Sequence, residues 1–144
     1  MADVTSTGKR LEVRQTLSHS AEEVFDAWAD PVGMRNWMRP GPTTDVKVKL
    51  DVRVGGKYSI EMVFDKGSVK HWGEYTVVDR PNKLEFSWNA DHLDEPTTVT
   101  VTITPRDAGC ELVLVHDGLP DEKSVESHQE GWGAIVRLLA ESLR

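Results

Sequence analysis

Five histidines, His19, His71, His92, His116 and His128, are the side chains of this sequence best suited to chemistry at neutral pH, because an imidazole titrating near pH ~6.5 can both take up and give back a proton there. They stand singly. No two histidines have the spacing of a helical metal motif, and Cys110 has no second cysteine with which to complete a zinc set. No glycine-rich loop opens a helix in the form that holds phosphates or dinucleotides, and no Gly-x-Ser-x-Gly nucleophile motif occurs. The expectation is therefore no metal, no cofactor and no assembled catalytic residues. Cys110 follows a turn glycine, which suits a minor edge residue better than a thiolate nucleophile. What remains is hydrogen bonding or proton transfer by His116 and His128. His116 ends an apolar strand face, and His128 lies two turns into the helix that follows, about 10 Å along its axis. They could share one end of an enclosed space, or each satisfy a nearby backbone carbonyl as a core histidine.

The elements that would position them follow from periodicity. LEVRQTL alternates, with Leu11, Val13 and Leu17 on one side, as in a half-buried strand. Ser20 and Glu23 have capping-box spacing ahead of Val24, Phe25, Ala27 and Trp28, which predicts a short helix. Asp30-Pro31 starts a second one, running to about Trp37, and RPGP at 39–42 stops it. From Val46 to Asp117 the period is two, in six runs separated by short turns: VKVKLDV, KYSIEMVF, VKHWGEYTVV, KLEFSWN, TTVTVTIT and CELVLVHD. Tyr58, Ile60, Met62 and Phe64 share a face, as do Leu84, Phe86 and Trp88. The opposite positions are mainly Ser, Glu and Thr, so one face of the sheet is wet and one buried. WGEYTVV is apolar on both sides, and its register stays open: Trp72 and Glu74 face inward in one, Tyr75 in the other.

A long amphipathic helix from about Asp121 places Val125, His128, Trp132, Ile135, Val136, Leu139 and Leu143 on one side. It must cover the buried face of the sheet. Gly131 and Gly133 flank Trp132, although a glycine inside a helix costs about 1 kcal/mol relative to alanine. The expectation is that Gly131 lets the helix approach the sheet, so that alanine there destabilises, whereas Gly133 behaves as an ordinary helix glycine.

The order strand, two short helices, six antiparallel strands and long helix is an α+β arrangement. In VRQTLSHSAEEVFDAWADPVGMRNWM, VGGKY, WGEYTVVDRPNKLEFSW, LVLVHDGLP and HQEGWGAIVRLL the chain resembles the START-like helix-grip (SRPBCC) superfamily, and within it the branch of homologues of the activator of the heat-shock-protein-90 ATPase. It departs from that branch at Trp37-Met38, where two adjacent tryptophans are usual, and at Gly133, which lies outside the pattern His-x-x-Gly-Trp met by His128, Gly131 and Trp132. The resemblance implies a curved seven-stranded antiparallel sheet wrapped around the C-terminal helix over residues 9–144, after a flexible N-terminus at 1–8. It also implies a cavity between sheet and helix, for which Tyr58, Met62, Trp72, Phe86, Trp88, His116, His128 and Trp132 are the expected lining.

Composition narrows the partners. The chain has 144 residues and a formal charge of -7, which argues against nucleic acid, since phosphate neutralisation by Lys and Arg supplies most of that affinity. A basic stretch from Arg35 to Lys57 is expected to be a solvated strand face and loop. No run of apolar residues reaches the ~18 that a membrane-spanning helix needs. The single cysteine and the polar start MADVTSTGKR fit a reducing cytoplasm. Three functions are in view: a binding protein for a small apolar or aromatic molecule, a polyketide cyclase/aromatase-like enzyme using His116 or His128, and a co-chaperone contacting the chaperone through Arg35 and Arg39.

Overall fold

Alternation of apolar and polar residues from Val46 to Asp117 builds most of a sheet, and the computed structural model, which describes residues 3–7 and 9–143, shows how it is ordered. The strands are β1 (Asp3–Thr7), β2 (Arg10–Leu17), β3 (Asp45–Leu50), β4 (Lys57–Phe64), β5 (Gly67–Asp79), β6 (Lys83–Ala90), β7 (Thr97–Arg106) and β8 (Gly109–Asp117). They form one sheet in the order β1-β2-β8-β7-β6-β5-β4-β3, every neighbouring pair antiparallel. All seven expected strands are present. The eighth, β1, comes from the segment read as a flexible N-terminus, and it pairs with β2 from Asp3↔Arg14 to Thr7↔Arg10.

Helix α1 (Ala21–Trp28) starts at the Ser20–Glu23 capping box, with the Glu23 amide donating to Ser20 Oγ over 3.1 Å. Helix α2 (Pro31–Met34) is capped by Asp30, whose carboxylate accepts from the Val32 amide. Together they carry the chain from β2 to β3 at the far edge of the sheet. Helix α3 (Glu122–Ser142) begins at Asp121, which accepts from the Ser124 amide, and lies mainly over β2 and β1. Its buried residues Val125, Trp132, Ile135, Val136 and Leu139 join Leu11, Val13, Leu112 and Leu114 of the sheet in one core.

The open register of β5 resolves with His71, Gly73 and Tyr75 facing inward. Gly73 is required there, because a Cβ at this position would be driven into the Ser87 carbonyl oxygen of β6. A bulge between Tyr75 and Val77 then shifts the pairing with β6, and this is why the run reads as apolar on both sides.

Candidate functional site

Aromatic packing divides the space beneath α3. On one side Trp28 meets Trp37 edge-on at 4.9 Å, Tyr58 meets Phe86 at 5.3 Å, and Tyr75 lies 5.5 Å from Tyr58. The gap left among Trp28, Met34, Met38, Tyr58, Tyr75 and Phe86 is about 10 Å³, the room of a single water at most. The Tyr58 hydroxyl is used up inside this packing, donating to the Ser87 carbonyl at 2.6 Å, and burial raises its pKa. This half is filled core.

On the other side of Trp88 and Trp132, whose rings are 4.9 Å apart, a cavity of about 250 Å³ remains. Strands β4 and β5 contribute Met62, Phe64, Val69 and His71; α3 contributes Ser127, His128, Gly131, Trp132 and Ile135; the loop after α2 contributes Pro40, Pro42 and Thr43. His92, from the loop after β6, and Trp88 complete the wall. Of the eight expected lining residues, Met62, Trp88, His128 and Trp132 are here. Tyr58 and Phe86 belong to the packed half instead. Trp72 is a correction: it is 38% exposed on the outer face of β5, and its inward neighbour His71 takes the place expected of it.

His116 is the second correction. It has no solvent exposure and sits behind Trp132 rather than in the cavity wall. Its Nδ1 accepts from the Trp132 indole N–H at 3.0 Å, so its proton rests on Nε2. Nε2 then donates to Thr97 Oγ1 at 2.7 Å, and that hydroxyl donates to the Trp88 carbonyl at 2.7 Å. Every position on the ring is satisfied, and burial pushes its pKa down to about 2. Such an imidazole cannot serve as the general acid or base of an enzyme at neutral pH.

Four of the five histidines nevertheless come together, which their scatter along the sequence concealed. His128 meets His116 edge-on at 5.0 Å and stacks on His92 at 5.9 Å; His92 meets His71 at 6.2 Å. His128 Nδ1 donates to the Ser124 carbonyl one turn back, at 2.8 Å. Burial, opposed by that hydrogen bond and assisted by repulsion from His92, lowers its pKa. His71 stacks face to face on Trp88 at 4.3 Å, and burial, with repulsion from His92 and His128, brings it down to about 4. At pH 7 His71, His116 and His128 therefore act as neutral hydrogen-bonding groups. Among the described residues no group of three or more His, Cys, Asp and Glu side chains is placed to hold a metal ion. Cys110 is fully buried and its thiol pKa is raised, chiefly by that burial, so it is no thiolate nucleophile.

Gly131 departs from its expectation. A methyl on Gly131 would meet only the Pro40 Cβ, at an ordinary 3.8 Å, and would point into the cavity, while Gly133 is one of the buried residues of the helix. Gly131→Ala should thus stabilise the protein by about 0.5–1 kcal/mol through helix propensity, seen in urea unfolding as a higher midpoint at constant m-value. Destabilisation would mean that the helix is thinned at Gly131 for packing after all.

A curved antiparallel sheet gripping a C-terminal helix, with an apolar cavity under the first half of that helix, defines a helix-grip domain. The chain belongs to the family described as Activator of Hsp90 ATPase homolog 1-like protein, whose model matches residues 18–144. Solved structures of the same fold include a Chromobacterium violaceum protein, 26% identical over 92% of this chain and 95% of that one with a TM-score of 0.83. A Rhodobacter sphaeroides protein is 18% identical over 99% and 97% with a TM-score of 0.85. An Aeromonas hydrophila protein titled AHSA1-like is 22% identical over 93% and 91% with a TM-score of 0.78. A comparison with curated proteins returns no match.

Proposed function

We propose that this protein binds a compact apolar or aromatic molecule in the cavity under α3 and performs no chemistry on it. The observation that carries this reading is the cavity's composition: a largely apolar and aromatic wall with a few placed polar side chains, the usual make-up of a small-molecule site. Of the two acid–base candidates, His116 is locked and neutral behind that wall, so a cyclase-like alternative would rest on His128 alone. The chaperone contact has less support still. Arg35 pairs with Asp45 at 3.2 Å and Arg39 donates to the Thr44 carbonyl at 2.7 Å, so both arginines brace the loop between α2 and β3. A reducing cytoplasm remains the proposed setting, on the strength of the single cysteine.

A thermal-shift screen of bicyclic and tricyclic aromatic compounds, with native mass spectrometry of the freshly purified protein, tests this. Hits should raise the melting temperature in proportion to RT ln(1 + [L]/Kd). Gly131→Met, which extends a flexible apolar side chain into the cavity from a helix position with room for a Cβ, should stay folded and weaken every hit at least about tenfold. Equal affinity in this variant would place the ligand elsewhere.

A further inference from the structure

The polar atoms that the cavity can reach are fewer than those its wall contains. Nδ1 of His71 and Nε1 of Trp88 are closed off from any solvent-sized molecule, so neither can meet an occupant. Nε2 of His128 can. A carbonyl oxygen only accepts, so the 2.8 Å bond to the Ser124 carbonyl puts the proton of the neutral ring on Nδ1 and leaves Nε2 a bare lone pair. Among the described residues every hydrogen bond of this ring runs through Nδ1. Nε2 therefore has no partner there, yet unlike the nitrogens of His71 and Trp88 it is not sealed off, and the half-buried His128 is part of the cavity wall. Thr43 is in the same condition: its hydroxyl donates to the Pro40 carbonyl at 2.6 Å, which leaves Oγ1 only lone pairs to offer. His92 and Ser127, both exposed to solvent, can donate or accept and favour neither. No Asp, Glu, Lys or Arg is part of the described lining.

We infer that the cavity selects uncharged aromatic molecules that carry an N–H or O–H donor, accepted by Nε2 of His128, over molecules of the same shape that can only accept. The inference rests on the cavity being a ligand site, as proposed above, and adds what that ligand carries and which side chain holds it. A molecule with an ether oxygen at that point sets lone pair against lone pair. A bare hydrocarbon strips Nε2 of water without replacing the bond. A carboxylate can only accept, and it would shed its hydration in a space that offers no lysine or arginine. Burial also opposes the protonation of His128 that would pair with it. Met62, Trp132 and Ile135 supply the apolar surface on which the ring itself packs.

Calorimetric titration at pH 7 with two pairs of near-isosteres, indole against benzofuran and 2-naphthol against 2-methoxynaphthalene, and with 2-naphthoate, tests the inference. In each pair the donor should bind about fivefold tighter than its acceptor-only counterpart or better, the worth of one hydrogen bond, and 2-naphthoate should bind more weakly than 2-naphthol. His128→Phe keeps a ring at this position and loses the acceptor, so both preferences should fall at least about threefold. Nitrogen NMR of the wild-type protein gives a second measure that needs no variant: 2-naphthol should move the His128 Nε2 resonance upfield, as expected when its lone pair accepts a proton, and 2-methoxynaphthalene should not. Equal affinity within both pairs, or tightest binding of 2-naphthoate, would overturn the donor preference while leaving the cavity a binding site. Preferences kept in full by His128→Phe, or an Nε2 resonance unmoved by 2-naphthol, would overturn the role of His128. Binding of none of the five compounds would overturn both the inference and the reading it rests on.

Discussion

Lowering the pH from about 6.5 to about 4.5 will destabilise this protein by about 4 kcal/mol, with most of the loss traceable to two histidines. His116 and His71 have folded pKa values pushed down to about 2 and about 4, in each case chiefly by burial. In the unfolded chain both titrate near ~6.5. Below that pH the unfolded state takes up protons that the folded state refuses, so stability falls as the pH falls. Each histidine contributes up to about 1.4 kcal/mol per pH unit until its folded pKa is reached. His71 therefore stops contributing near pH 4, and His116 continues below it. His128, also lowered, adds in the same direction. Carboxylates act later: Asp26, held below its ordinary 3.8 mainly by its hydrogen bond to Arg80, loses its contribution only below that value and is too exposed to matter much. Urea unfolding at a series of pH values should show about two protons taken up per molecule unfolded near pH 5, and His71→Phe should remove about one of them. A stability flat between pH 6.5 and 4.5 would mean that these imidazoles are not buried neutral.

The same histidines show where sequence reasoning stops. Strands with a clean period of two were legible to within a residue or two, β4 and its inward set Tyr58, Ile60 and Met62 among them, because a one-residue slip would move that whole set into water. The caps at Ser20 and Asp30 were legible for a local reason, since the groups they satisfy lie three residues away or fewer. Strand β5 defeated the method because Trp72 is large and apolar yet faces outward, and the bulge at Thr76 breaks the alternation that would have betrayed it. His92 lies in a loop without periodicity and could be placed only by the fold. Trp72 and His116 were expected in the cavity on the correct general ground that aromatic and polar side chains line such spaces. Which of them does so depends on how Trp88 and Trp132 partition the interior, and no spacing along the chain encodes that partition.

Trp132 is the side chain whose loss should cost most. Its ring is 2% exposed, packs on Trp28 at 6.4 Å and on Trp88 at 4.9 Å, and forms part of the cavity wall. Trp132→Ala removes that packing and merges the new void with the existing one, which should cost about 3–5 kcal/mol from the cavity alone. It also strips His116 Nδ1 of its hydrogen-bond donor, adding about 1–3 kcal/mol for a buried acceptor left without a partner. Trp132→Phe separates the two contributions: most of the ring remains, the N–H does not, and the expected loss is about 2 kcal/mol. A further consequence distinguishes lost hydrogen bonding from lost bulk. With Nδ1 no longer accepting from an indole, His116 can take a proton there, so its folded pKa rises towards that of the unfolded chain. The slope of stability against pH between about 6 and about 4.5 should accordingly be shallower in Trp132→Phe than in wild type. A cavity-making change elsewhere in the core, such as Leu139→Ala on the same helix, should lower stability and leave that slope as it was. If Trp132→Phe matched the wild type within about 0.5 kcal/mol and kept its slope, the indole–imidazole bond would carry no free energy, and burial with the neighbouring histidines would hold His116 neutral without it.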